Sequence, residues 1–274
     1  MTTGTLLLGA VAYDQKVVRI WDGFRRWFLE RNLPLDYLLY SNYDRQVDDL
    51  LNGHLDLAWN SPLAWLQARR GAAAAGTVVR PLAMRDTDQG LTSVIVVRTD
   101  SPYASLDDLA GSLVGTGATD SPQATLLPLA YLAERGIDVR SRHHDIGVGL
   151  HGDHIGGERD AARALANGAV DAAAMLDANH LLFSKEGTLQ PGTTRILAQT
   201  QPYDHCNLTA TDRAPDALVD RFTRLLLGMS YADPVIRELF DLEGLNEWRP
   251  GRDSEYAALD DAANRFGFYE RPTG

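Results

Sequence analysis

The sequence predicts an α/β fold built as two similar lobes. Three observations predict it: a helix–turn–strand device that occurs twice, a strand–helix rhythm around the first copy, and a pair of serine-started helices. The device reads Leu51-Asn52-Gly53-His54-Leu55-Asp56-Leu57-Ala58 in the first half and Leu165-Ala166-Asn167-Gly168-Ala169-Val170-Asp171-Ala172 in the second. In each, an amphipathic helix should stop at Asn-Gly, where glycine takes the left-handed conformation of a helix C-cap, and a short apolar strand should follow. Two such lobes would have a cleft between them, and clefts take small molecules.

The elements follow in order. Thr5 to Val11 is an apolar strand, and Val17 to Arg31 a helix with Val18, Trp21, Phe24 and Phe28 on one stripe. Pro34 breaks it, Leu35 to Tyr40 is a strand, and Ser41-Asn42-Tyr43 opens the helix that ends at Asn52-Gly53. Leu55 to Trp59 completes a βαβαβ unit, a pattern whose ligands sit off the carboxyl ends of strands. Val78 to Met84 and Thr92 to Arg98 are strands, Ser105 to Leu109 a capped helical turn and Leu113 to Gly115 the first strand of the second lobe. Helices then run from Thr119-Asp120-Ser121-Pro122 to Arg135, from Glu158 to Ala166 and from Asn179 to Lys185, with a strand at Thr194 to Thr200 and a mainly helical tail from Pro215. The expected division is 1–88 plus 198–274 for lobe one and 89–197 for lobe two, joined by two crossover strands.

Composition narrows the partners. The 274 residues are 45% hydrophobic and 23% charged, an ordinary globular balance. The net charge of -11 is spread along the chain with no Lys/Arg cluster, which argues against nucleic acid or an anionic membrane surface. A small-molecule ligand is the expected partner, and any anion must be held by local dipoles. One cysteine, Cys206, rules out an internal disulfide and is expected to be buried and inert. The uncharged start before Thr5 to Val11 reads as a strand rather than a secretory signal, and no apolar run has the length of a membrane span. With Met1 as the native start the expected address is the cytoplasm; with a leader removed it is periplasmic or extracellular.

Asn60-Ser61-Pro62 and Asp120-Ser121-Pro122-Gln123 place serine at an N-cap and proline at the first helical position. Two such helix starts at matching positions after strands, aimed into one cleft, would hold a small oxyanion by main-chain N–H groups and the helix dipole, without a lysine. Tyr13, Tyr43 and Trp59 fall at predicted strand ends on the same side and either wall the pocket or pack in the core. Of seven histidines, four lie at 143, 144, 151 and 154, in a glycine-rich segment. His151, His154 and Glu158 would form a two-histidine, one-carboxylate site for Fe or, with a fourth ligand, Zn. The alternative is that the histidines bind the ligand or cap the helix while Glu158 pairs with Arg159 or Arg163. Asn179, His180 and His205 complete the candidate ligand set. The phosphate-loop and dinucleotide fingerprints are absent.

The order of these motifs resembles the type II periplasmic-binding-protein superfamily, and within it the phosphate/phosphonate-binding branch. The resemblance rests on Asn42-Tyr43, on Gly53 to Ala64 containing Asp56-Leu57-Ala58-Trp59-Asn60-Ser61-Pro62, on Asp100-Ser101-Pro102 with Ser105 to Gly111, on Thr119-Asp120-Ser121-Pro122-Gln123-Ala124, on 151 to 161, and on Asn167-Gly168-Ala169-Val170-Asp171-Ala172. It implies a two-lobed clamp, each lobe a mixed, mostly parallel sheet flanked by helices. It also implies an oxyanion held by Thr119, Ser121 and Thr125, with Tyr43, His151 or His154, and Glu158 in the cleft. The sequence departs from that family where Asp120 would repel a dianion. The same fold serves cytoplasmic enzymes, and the clustered histidines and the apparent address lead to the functional expectation: an enzyme on this clamp, with His151, His154 and Glu158 catalytic on a small polar or anionic metabolite. The alternative is a non-catalytic solute-binding protein of an ABC transporter, with a permease as partner, or a sensor.

Overall fold

The computed structural model describes residues 4–145, 147–148, 151–152 and 154–270; the side chains at 147, 148, 151, 152 and 154 lie outside that description. In chain order the elements are β1 (Leu6–Val11), α1 (Lys16–Glu30), β2 (Leu35–Tyr40), α2 (Tyr43–Leu51), β3 (Leu57–Asn60), α3 (Pro62–Ala75), β4 (Val79–Arg85), β5 (Ser93–Arg98), β6 (Leu113–Thr116), α4 (Leu127–Ala133), β7 (Arg140–His143), β8 (Gly147–Val148) and β9 (His151–Gly152). They continue with α5 (His154–Ala166), β10 (Ala172–Leu176), α6 (Asp177–Lys185), β11 (Thr194–Gln199), β12 (Asn207–Thr211), α7 (Asp216–Leu227), α8 (Pro234–Glu243), β13 (Trp248–Pro250) and α9 (Ala257–Arg265). A π-helical turn, Pro122–Leu126, leads directly into α4.

The chain divides into two compact units. The first comprises 1–89, 204–256 and 272–274; the second comprises 90–203 and 257–271. The tail was expected with lobe one throughout, yet α9 belongs to the second unit, where it packs on α4 and the π-turn before it. Its buried Leu259, Ala262 and Ala263 make one narrow apolar stripe, a pattern that carries no information about which sheet it covers.

The first unit has a six-stranded sheet, ordered β13-β4-β12-β3-β1-β2. One side carries an aromatic core in which α1 contributes Trp21, Phe24, Trp27 and Phe28 and α7 contributes Phe222, with Phe28 stacked on Phe222 at 4.7 Å. The buried α1 residues Val17, Ile20, Trp21, Phe24, Trp27 and Phe28 recur at three- and four-residue steps, which is why this segment is a helix with one apolar face. Val18, expected on that stripe, is instead exposed. The opposite side is a smaller cluster under α2 and α3, including Val47, Leu50, Ala58, Ala64 and Ala68.

The second unit has a five-stranded sheet, ordered β11-β5-β10-β6-β7. Val94, Val96, Ala173 and Met175 face α5 and α6 residues such as Leu165 and Phe183, while Ile95, Val97, Val114 and Ala172 face Leu109, Leu132 and Ile137. Both sheets are mixed. Parallel pairing is confined to β2-β1-β3 and β7-β6-β10, because β12 and β5 enter from distant segments and run antiparallel beside β3 and β10. No helix among the described residues is long and apolar enough to cross a membrane.

Candidate functional site

Each unit gathers a separate set of the sequence-derived residues. In the second unit the set forms where β6 ends. Ser121 is extended, fully buried, and accepts a hydrogen bond on Oγ from the Ala124 N–H at 3.2 Å. Thr125 Oγ1 donates to the Ala118 carbonyl at 2.7 Å, so the loop 117–121 is tied to the helix it opens. Proline at the first helical position and a capping serine are what the sequence requires for such a start.

Behind this helix start lies Glu158, fully buried in the first turns of α5. Gln123 Nε2 donates to its Oε1 at 3.0 Å, and the Leu176 main-chain N–H and Asn179 Nδ2 each donate to its Oε2 at 2.9 Å. Gly157 makes the approach possible: a Cβ there would lie 2.4 Å from the His144 carbonyl oxygen. The carboxylate thus fastens the π-turn, the end of β10 and α6 together.

The expected Fe or Zn group finds no described ligand set here. Both Glu158 oxygens are taken by N–H donors, and the side chains of His151 and His154 lie outside the described residues. His180 turns to Thr194, with Nε2 3.3 Å from Oγ1, and burial lowers its pKa. Thr119 and Asp120 sit half-buried ahead of Ser121.

In the first unit, Asn60 is fully buried inside a hydrogen-bond chain. Gln46 Nε2 donates to its Oδ1 at 2.9 Å, its Nδ2 donates to Thr209 Oγ1 at 2.9 Å, and Thr209 in turn donates to Asn207. Trp59 is core, edge-on to Trp248 at 5.7 Å. Ser61 caps α3 through the Ala64 N–H at 3.2 Å. The two serine-started helices are not topological equivalents, contrary to expectation: α3 follows β3, the partner of β1, whereas the Ser121 helix follows β6, which occupies in its sheet the place β1 holds in the other.

Sequence reasoning missed the group around which Tyr13, Tyr43 and His205 are arranged. Arg85, the last residue of β4, grips Asp88 through two bonds, Nε to Oδ2 at 2.5 Å and Nη2 to Oδ1 at 2.9 Å, and reaches Glu243 Oε1 at 3.2 Å with Nη1. Its guanidinium also lies 5.2 Å from the Trp59 ring centre. Asp88 is desolvated, but Arg85 and His205 more than offset this and hold its pKa down at about 2. Burial pushes Glu243 up, and burial likewise raises the Tyr13 and Tyr43 hydroxyls and the Cys206 thiol. Among the described residues, Asp88, His205 and Cys206 are the one His/Cys/carboxylate group close enough to hold a metal, with ligand atoms within 4.8 Å of one another. Asp88 has both oxygens committed to Arg85, and the thiol is held protonated by burial, so the arrangement is that of a buried ion pair. A signal existed in sequence only as Arg85-Asp86-Thr87-Asp88; Glu243 lies 158 residues away.

Residues 11–256 match the family model described as ABC transporter, phosphonate, periplasmic substrate-binding protein. The chain belongs to this family. It is 25% identical over 220 residues to the phosphate-import protein PhnD of Mycolicibacterium smegmatis, a match that takes in 78% of this chain and spans 65% of the length of that relative. In fold it resembles PhnD1 from Prochlorococcus marinus in complex with methylphosphonate, with a TM-score of 0.67 at 16% identity over 96% of this chain and 98% of that one. It also resembles XAC2383 from Xanthomonas citri bound to chloride ion, with a TM-score of 0.70 at 17% identity over 97% and 99%. The expectation of an enzyme is thereby corrected, since the family consists of transporter substrate-binding proteins, and Glu158, cast as a catalytic group, is spent on structural hydrogen bonds. The expected cytoplasmic address is corrected too: the family is periplasmic, and a first strand at Leu6–Val11 says nothing about what precedes it.

Proposed function

We propose that this chain is the non-catalytic substrate-binding component of an ABC transporter for a small oxyanion of the phosphate or phosphonate class, which it delivers to a membrane permease. The observation that carries this reading is the buried helix start at Ser121, Gln123 and Thr125 in a chain of the phosphonate-binding family. A helix opening of this kind offers main-chain N–H groups and the positive end of the dipole, the recurrent means of holding an oxyanion without a lysine. Thr119, Ser121 and Thr125 of the second unit are the residues assigned to the ligand.

The test is isothermal titration calorimetry against inorganic phosphate and methylphosphonate, with 31P NMR of the same mixtures after prolonged incubation. Saturable binding of at least one, with a ligand-dependent rise in melting temperature and an unchanged phosphorus spectrum, is the expected result. Turnover of either compound, or no binding to any phosphorus oxyanion, overturns the reading.

A further inference from the structure

Gln123 stands second in a continuous helical run, the π-turn Pro122–Leu126 followed by α4, one position after the proline and two after the capping serine. Its side chain is 6% exposed. The amide is oriented by Glu158. A carboxylate oxygen that collects N–H donors can only accept, so the nitrogen of Gln123 must face it, and the 3.0 Å contact to Oε1 is that bond. The carbonyl oxygen of the same amide is then left buried at the helix start, and it has no hydrogen-bond partner among the described residues. Buried acceptors are ordinarily satisfied, and leaving one unmet is costly. The two neighbouring hydroxyls are already paired, Ser121 Oγ with the Ala124 N–H and Thr125 Oγ1 with the Ala118 carbonyl.

We infer that Gln123, locked by Glu158, is a specificity-determining acceptor that makes this site take an oxyanion still carrying a proton, a hydrogen phosphonate or hydrogen phosphate, in preference to a donor-less anion of the same charge and shape such as a sulfonate. The inference rests on the oxyanion reading of the site given above. Two features support the lock. Glu158 is fully buried and fixed from two further directions, by the Leu176 main-chain N–H and Asn179 Nδ2. Gly157 presses the start of α5 against the His144 carbonyl and the 117–118 turn, where a Cβ would be 2.4 Å from the former and 3.5 Å from the Ala118 nitrogen, so Glu158 has no room to withdraw.

The geometry makes Glu158→Gln a polarity switch. A glutamine has one acceptor, which the Leu176 N–H and Asn179 Nδ2 already claim; its amide nitrogen then faces Gln123, whose own amide must turn over to present its oxygen. That turn carries Gln123 Nε2 to where the unpartnered carbonyl stood, and an acceptor becomes a donor. Calorimetric titration with methylphosphonate and methanesulfonate tests this at a mildly acidic pH where each carries a single negative charge. The two then differ chiefly by one P–OH proton. The wild type is expected to prefer methylphosphonate by tenfold or more, one decade being about 1.4 kcal/mol. Glu158→Gln is expected to abolish or reverse that preference, and Gln123→Leu to bring it near unity without reversing it.

Equal binding of the two ligands by the wild type overturns the inference, as does a common loss factor for both ligands in either variant, which is what a purely structural role produces. Should Glu158→Gln fail to fold by circular dichroism, Gln123→Leu decides alone: retention of the tenfold preference is fatal to the idea. Failure of the wild type to bind methylphosphonate, methanesulfonate or inorganic phosphate removes the oxyanion reading itself, a distinct outcome.

Discussion

Replacing Asp88 by asparagine probes the ionic group that anchors the first unit. The residue is 1% exposed and its side chain receives two bonds from Arg85, with the Cys206 main-chain N–H at 3.3 Å and the His205 imidazole 3.3 Å away. Its pKa falls from 3.8 to about 2 on folding, which is linked to about 2 kcal/mol of stability at neutral pH. Removing one member of a buried pair costs about 3–5 kcal/mol when the survivor is left alone. Here Arg85 keeps the Glu243 carboxylate and main-chain carbonyl, at 3.2 and 2.9 Å, so about 2–4 kcal/mol is expected for Asp88→Asn.

The pH dependence separates a charge effect from lost packing. A depressed carboxylate stabilises fully above its unfolded value and loses that contribution as pH falls through about 2, so the wild type should weaken between about pH 4 and pH 2 and Asp88→Asn should not share this loss. Glu243 has the opposite sign: its raised pKa favours the folded state at low pH, and that contribution fades as pH rises through the folded value. Urea unfolding followed by tryptophan fluorescence reads the first unit selectively, because all five tryptophans, Trp21, Trp27, Trp59, Trp65 and Trp248, belong to it. A change below about 1 kcal/mol, or an acid slope in Asp88→Asn as steep as in the wild type, refutes the reasoning.

Two further outcomes are expected. Ser61→Ala removes the acceptor for the Ala64 N–H at the start of α3 and should lower first-unit stability by about 1 kcal/mol in the same urea assay, with an unchanged midpoint counting against the cap. Cys206, 7% exposed and with a thiol raised by burial, should react with a disulfide reagent at pH 8 at least about a hundredfold more slowly in the native protein than in urea; rapid native labelling would show that the site opens.

Periodicity made α1, β2 and the Asn-Gly helix stops legible before any coordinates, because each depends on residues within one or two turns. The segments that escaped are those whose reason is tertiary. β12, with the sequence Asn207-Leu208-Thr209-Ala210-Thr211, is buried throughout; its polar residues are tolerated there because Asn60, Asn207, Thr209 and Tyr256 satisfy one another. β7, Arg140-Ser141-Arg142-His143, is an exposed edge strand with no apolar alternation to betray it. At the candidate site, the serine caps could be read from sequence. The Arg85, Asp88 and Glu243 group could not, since it joins β4 to the end of α8. Nor could the role of Glu158, whose helical spacing from His154 suggested a shared metal when its partners are Gln123, Leu176 and Asn179.

The repeated device reaches further than the helix stop. Gly53 and Gly168 hold φ of 77° and 71°, and three residues beyond each stands an aspartate, Asp56 and Asp171. Asp56 donates its N–H to the Leu7 carbonyl and accepts the Leu7 N–H on Oδ2 at 2.8 Å; Asp171 does the same with Leu113, also at 2.8 Å. In each unit this two-way clamp sets the register of the strand entering from the helix, β3 or β10, against the strand it joins, β1 or β6. The sheet orders β2-β1-β3-β12-β4 and β7-β6-β10-β5-β11 then correspond strand for strand, antiparallel neighbours included. What differs is the chemistry mounted on the common frame. The first unit carries a partly buried guanidinium shared by two carboxylates, and the second carries a carboxylate held by two amides and a main-chain N–H. Because frame and chemistry are specified by different residues, substitutions at Gln123 or Glu158 can alter which anion is accepted while the Asn-Gly-Asp clamps continue to hold the sheets.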